Sequence, residues 1–300
     1  MAQKILIIGE SGTGKSTSLR NCNPDEIAVV NPVGKPLPFR GKFTMLNHIT
    51  DSKDICDFIR AQVSAGKKII VVDDFQYILS IPYMNRIKEN GWDKWNDFGA
   101  NYFEIINVCD SLPDDVCVYY LSHCETLENG VTTIKLIGKL LREKISIEGL
   151  FTIVLKTAVI DGKYYFTTQN SGNDTVKSPL GMFPSYAIDN DLNYVTEKIR
   201  NYYDFDGAKT DAEMKTLDDE VKDESIQKPE KKRPRRSSKR NPVIEDLVDD
   251  APEKLSRKPR NEENSVEPKE STESTESTND LPWDDSGKDT PQPRRRRRRA

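Results

Sequence analysis

Short apolar runs alternate with amphipathic stretches over roughly the first two hundred positions. Lys4–Ile8 is a continuous apolar run that enters a glycine-rich turn at Gly9, the pattern of a buried strand leading into a helix. Glu26–Val30 predicts a second strand, followed by a loop rich in glycine, proline and basic residues from Val33 to Lys42. Asp51 is placed to cap a helix that carries Ile55, Phe58, Ile59 and Val63 at helical spacing and ends at Gly66. Lys68–Val72 is a β-branched run of the kind buried on both faces of a parallel sheet. Helices are predicted around 75–88 and 92–110, and a third buried strand over Val116–Leu121 that closes on Ser122-His123. Beyond a turn at Glu128-Asn-Gly130, a helical pattern spans Leu136–Ile147. Late strands follow at Phe151–Leu155 and Lys163–Thr168, joined at Asp161-Gly162, and a last helix lies near Leu192–Tyr203. Strands alternating with helices predict an α/β fold on a mainly parallel sheet with a late β-hairpin.

Composition divides the chain. It has 300 residues, 45 Lys+Arg against 49 Asp+Glu, and 35% hydrophobic content. Residues 211–300 hold 22 basic and 23 acidic side chains, nine of the 17 prolines and one aromatic, Trp283. That leaves 23 basic and 26 acidic residues in 1–210, with roughly 43% apolar content, close to the globular norm of about 45–50%. The expected organisation is one domain over 1–205 and a disordered charged tail over 206–300. No apolar run nears the ~20 residues of a membrane span, and the N-terminal run is too short for a signal peptide. Five cysteines without CxxC spacing argue for reduced thiols, and two histidines against a His-based metal centre. A cytoplasmic protein with no membrane partner is expected.

The chemistry is concentrated in Gly9, Glu10, Ser11, Gly12, Thr13, Gly14, Lys15 and Ser16, a full match to G-x-x-x-x-G-K-[ST], with Thr17 next in line. Glycines let backbone N–H groups wrap phosphates, Lys15 reaches the β- and γ-phosphates of ATP, and the Ser16 hydroxyl suits Mg²⁺. Asp73, at the end of an apolar run, is the candidate Mg²⁺ partner. Asp74 is the candidate base for the attacking water, although shorter by ~1 Å than a Glu. His123 is a candidate sensor of the γ-phosphate, and Glu125 a spare base.

Together with Gly34–Gly41, Asp73-Asp-Phe-Gln76, Leu121-Ser-His123 and Lys177–Phe183, the phosphate loop resembles the AAA-type ATP-binding proteins of phage recombination and replication modules. Some of these are grouped with core-only RecA-like single-strand annealing proteins. The resemblance covers about residues 1–205. It implies a RecA-like P-loop NTPase core, ATP with Mg²⁺, and action on single-stranded DNA beside a single-strand-binding protein in the host cytoplasm. The first strand opens at Lys4, so no N-terminal arm is expected to dock on a neighbouring protomer, and RecA-style filaments are not expected; other homo-oligomers stay open.

Candidate DNA contacts are Lys35, Phe39, Arg40 and Lys42 in the proline loop, where cations and a ring suit a backbone and one stacked base. Lys135, Lys139, Arg142 and Lys144 add a basic surface, and Lys177 is a candidate trans-acting cation for a neighbour's nucleotide. In the tail, Arg294, Arg295, Arg296, Arg297, Arg298 and Arg299 form a run suited to salt-sensitive phosphate binding, after basic and acidic blocks at 231–240 and 245–250. Asp280–Asp285 has the form of a docking peptide. The net charge of −4 is therefore a poor guide, because strong opposite blocks cancel within it. The leading expectation is an ATPase that handles single-stranded DNA by annealing or loading. A small-molecule or nucleotide kinase and an ATP-binding adaptor without turnover are the alternatives.

Overall fold

Nine strands and five α-helices are found among residues 1–138 and 140–229, which the computed structural model describes. The strands are β1 (Gln3–Gly9), β2 (Ile27–Asn31), β3 (Thr44–Asn47), β4 (Ile69–Val72), β5 (Cys117–Thr126), β6 (Thr132–Ile134), β7 (Ile153–Ile160), β8 (Lys163–Thr167) and β9 (Ala187–Asp189). The helices are α1 (Ser52–Ser64), α2 (Tyr77–Asn85), α3 (Asp93–Asn107), α4 (Leu192–Tyr202) and α5 (Asp211–Val221). The sheet runs β3-β2-β4-β5-β1-β7-β8-β9, with β6 on the extension of β5. Pairing is parallel from β3 through β7 and antiparallel for β8 and β9, so the hairpin at Asp161-Gly162 adds two reversed strands to a parallel core. This is an α/β P-loop NTPase fold, with the phosphate-loop sequence leaving the end of β1.

Alternate residues of the central strands feed two cores. Leu6, Ile8, Val30, Val72, Val118 and Tyr120 pack with α1 and α3 on one face. Ile5, Ile7, Val29, Val71, Tyr119 and Leu121 pack with Leu19 and α4 on the other. Strands buried on both faces read as unbroken apolar runs, which is why these were the strands visible in the sequence. Asp51 caps α1 as expected, its side chain accepting from Asp54 N at 3.1 Å.

Four local expectations are corrected. The phosphate loop is followed by a 3-10 turn, Ser16–Asn21, and not by an α-helix. The Ser18 hydroxyl competes for backbone groups there, its Oγ donating to Lys15 O at 2.6 Å, and Pro24 follows shortly after. No continuous helix spans 136–147. Gly138 is at φ +88, where a Cβ would meet the Trp95 ring at 2.9 Å, and among the described residues a π turn (Leu140–Lys144) and a 3-10 turn (Ile147–Leu150) form instead. β5 runs on to Thr126 and pairs with β6 instead of ending at His123. Finally, ordered structure passes the boundary drawn at 205. Thr210 caps α5 in a capping box with Glu213, Met214 is buried, and Leu217 and Val221 pack on the same core. Tyr194 and Lys198 of α4 hold Asp218 at 2.6 and 2.5 Å.

Candidate functional site

Because β5 lies between β1 and β4, the carboxyl ends of three adjacent parallel strands meet at one edge. There Gly9 is level with His123, and Val72 with Tyr120. Loops leaving such an edge are where α/β sheets gather ligands. The turn from Gly9 to Ser16 is shaped by close approach. A Cβ at Gly9 would lie 1.8 Å from Thr157 Oγ1 of β7, and one at Gly14, at φ +96, would meet the Tyr164 ring at 2.8 Å. Thr13 Oγ1 donates to Glu10 O at 2.8 Å and lies 2.5 Å from Thr157 Oγ1, which ties the loop to β7.

Lys15 is 6% exposed and donates to Gly9 O at 3.0 Å and Glu10 O at 2.8 Å, inside its own loop. Burial lowers its pKa, against the opposing pull of Asp74 and Asp73. Ser16 Oγ donates to both Asp73 oxygens, at 2.8 and 3.1 Å. Asp73 is itself buried and accepts from Asp74 N at 3.0 Å. Burial, and then the charge of Asp74, push its carboxyl up to about 6 despite the hydrogen bond from Ser16.

Asp74 turns back through a left-handed backbone, φ +54, which short polar residues tolerate. Its Oδ2 takes Lys35 Nζ at 2.6 Å, while Oδ1 faces Gln76 Nε2 at 3.4 Å and His123 Nε2 at 3.5 Å. Gln76 Oε1 in turn accepts from His123 N at 3.0 Å and Ser122 Oγ at 3.3 Å, linking the ends of β4 and β5. Burial, followed by the charge of Lys15, lowers the His123 pKa and favours the neutral ring.

Ser11, Gly12, Gly14, Lys15, Ser16 and Thr17 line one wall of a cleft of about 350 Å³, and Lys35, Pro36, Asp73, Asp74 and His123 line the other. Thr17 and Tyr164 continue into an adjoining cleft of about 460 Å³ beside Arg20, Asp189 and Lys222. A hydroxyl and a carboxylate side by side are hard oxygen donors, and the buried Asp73 carboxyl lacks a full countercharge. Ser16 and Asp73 thus fit a Mg²⁺ ion.

Other expected residues lie apart. Lys35 lines the cleft, while Arg40 and Lys42 are exposed and Phe39 is half-buried against Phe43, 5.8 Å between ring centroids. Lys177 is fixed by backbone bonds to Val154 and does not line the cleft. Glu125 is paired with Arg142 at 2.8 Å. Lys139, the blocks at 231–240 and 245–250, Asp280–Asp285 and Arg294–Arg299 lie outside the described residues. Gln76, Thr157 and Tyr164 were given no role by sequence reasoning. Gln76 stands in the Asp73-Asp-Phe-Gln76 segment, which was the available signal, whereas Thr157 and Tyr164 reach the loop only through folding.

No protein-family model matches the chain, and no curated protein matches it. Among solved structures, a KaiC-like protein from Pyrococcus horikoshii OT3 is similar at 15% identity and a TM-score of 0.36, over 55% of this chain and 77% of that one.

Proposed function

We propose that the cleft binds ATP with Mg²⁺ and hydrolyses it, and that the protein is an ATPase with a RecA-like core. The observation that carries this reading is the contact of Ser16 with Asp73 beside buried Lys15, at the ends of three neighbouring strands. The loop amides and Lys15 bind the phosphates, and the adjoining cleft has room for the nucleoside. Ser16 and Asp73 would hold Mg²⁺, which when bound supplies charge neutralisation of the phosphate oxygens. Asp74 holds the attacking water and takes its proton. Gln76 keeps Asp74 and His123 in register, and neutral His123 is able to donate to a phosphate oxygen.

The ATPase is proposed to act on single-stranded DNA, beside a single-strand-binding protein, in recombination or replication of the phage type. Exposed Arg40 and Lys42 on the loop that also carries Lys35, together with the arginine run 294–299, support it. A second reading, ATP binding with little turnover, is favoured by the short reach of Asp74 and its contact with Lys35.

The test is phosphate release by the full chain with and without single-stranded DNA, with Lys15→Ala as the blank. Release that DNA stimulates is expected. DNA-independent transfer of phosphate to a nucleotide acceptor would replace the reading with a kinase, and tight binding without release would replace it with an adaptor.

A further inference from the structure

The reaction proposed above uses one cation of the protein, Lys15, and leaves a second, Lys35, unused. Lys35 reaches the cleft from the opposite wall, and its backbone is built to one shape. Buried Asn31 at the end of β2 accepts from Gly34 N at 2.9 Å and donates to Lys35 O at 2.7 Å. Gly34 is at φ +73, where a Cβ would meet the His48 ring at 2.1 Å. The side chain is different. It is half exposed, lies 5.2 Å from the Tyr77 ring centroid, and has a flexible four-carbon stem. Asp74 does not depend on it alone, because Gln76 and His123 face the other carboxylate oxygen.

We propose that Lys35 is a second phosphate-binding cation, exchanged between Asp74 and the terminal phosphate of a nucleoside triphosphate, so that the site prefers triphosphate to diphosphate. This rests on the nucleotide reading of the phosphate loop given above. With the inner phosphates on the loop that holds Lys15, the outermost one would come toward Lys35, Asp74 and His123, which line the same cleft. A terminal phosphate carries about 1.5 to 2 negative charges near pH 7, more than the single charge of a carboxylate, and so competes for the ammonium. Transfer of Lys35 frees Asp74 Oδ2 for water at the moment a phosphate is present to be attacked. A diphosphate leaves Lys35 on Asp74.

Titrations of the full chain in Mg²⁺ with a non-hydrolysable ATP analogue and with ADP test this, on wild type, Lys35→Ala, Lys35→Arg and Asp74→Asn, each checked by thermal melting. Lys35→Ala is expected to weaken the analogue about tenfold or more while ADP stays within about twofold, as for loss of one charge-assisted hydrogen bond. Lys35→Arg should recover most of the loss, and Asp74→Asn should not weaken the analogue. Equal losses for both nucleotides, no loss for either, or an Asp74→Asn variant that copies Lys35→Ala would overturn the proposal in favour of a structural tie. If wild type binds neither nucleotide, or Lys15→Ala binds both as wild type does, the nucleotide reading itself falls and this inference with it.

Discussion

Each wall of the cleft carries a glycine-bearing loop that follows a buried parallel strand, yet the two loops are held differently. The loop after β1 is fixed from within: Lys15 bonds its own carbonyls, Thr13 grips Thr157, and Gly9 has no room for a methyl group. The loop after β2 is clamped at Asn31 and Gly34. Beyond them it is mostly exposed, with Lys35–Asp74 as its contact across the cleft. The first wall is suited to gripping what every nucleotide shares, and the second to responding to what differs among them. A fold that rigidifies one side of a site leaves the other free to report on the ligand.

The sharpest break in this comparison is Lys15→Ala. Removing a buried, hydrogen-bonded cation should cost nucleotide affinity about 3 kcal/mol or more, a hundredfold, by equilibrium titration. An unchanged affinity would mean that the rigid wall does not grip phosphate.

Next is Asp73→Asn, read as stability against pH in EDTA. The folded carboxyl titrates at about 6, above its ordinary 3.8, so the fold disfavours the ionised form. The cost is absent below about pH 4, grows through the interval and is complete above pH 6, reaching about 2–3 kcal/mol. Asp73→Asn should therefore gain stability over wild type as pH rises from 4 to 7, in urea melts. Parallel pH profiles for the two proteins would remove buried charge from the account of the site.

Gly9→Ala should destabilise by about 1–3 kcal/mol, because the added methyl meets a buried threonine, and Thr157→Ala in the same chain should restore part of it. The smallest effect is expected from Lys35→Ala, within about 1 kcal/mol in the same melts, since Lys35 is half exposed and the buried Asp74 still faces Gln76 and His123. A larger loss would make the second wall as structural as the first.

How far the sequence discloses this site follows from chain distance. Gly9–Ser16 and Asp73 are legible because a glycine turn or an acidic end adjoins an apolar run, and both cues are local. Thr157 and Tyr164 are not, since they meet the loop only after β7 and β8 pair beside β1. Lys35 was grouped with Arg40 and Lys42 by charge and proximity, but the Asn31 clamp sends its side chain to Asp74 instead. α5 was lost to averaging. Its Met214, Leu217 and Val221 form one apolar stripe, which the average over a ninety-residue stretch, half of it charged, conceals.

The central claim is that Ser16 of the phosphate loop and Asp73 at the end of β4 complete a metal–nucleotide site, and the most direct test is ATP-analogue binding in Mg²⁺ against EDTA. EDTA should weaken binding to wild type about tenfold or more. Asp73→Asn in Mg²⁺ should match wild type in EDTA and respond to neither condition. Affinity that ignores both EDTA and the substitution would contradict the account.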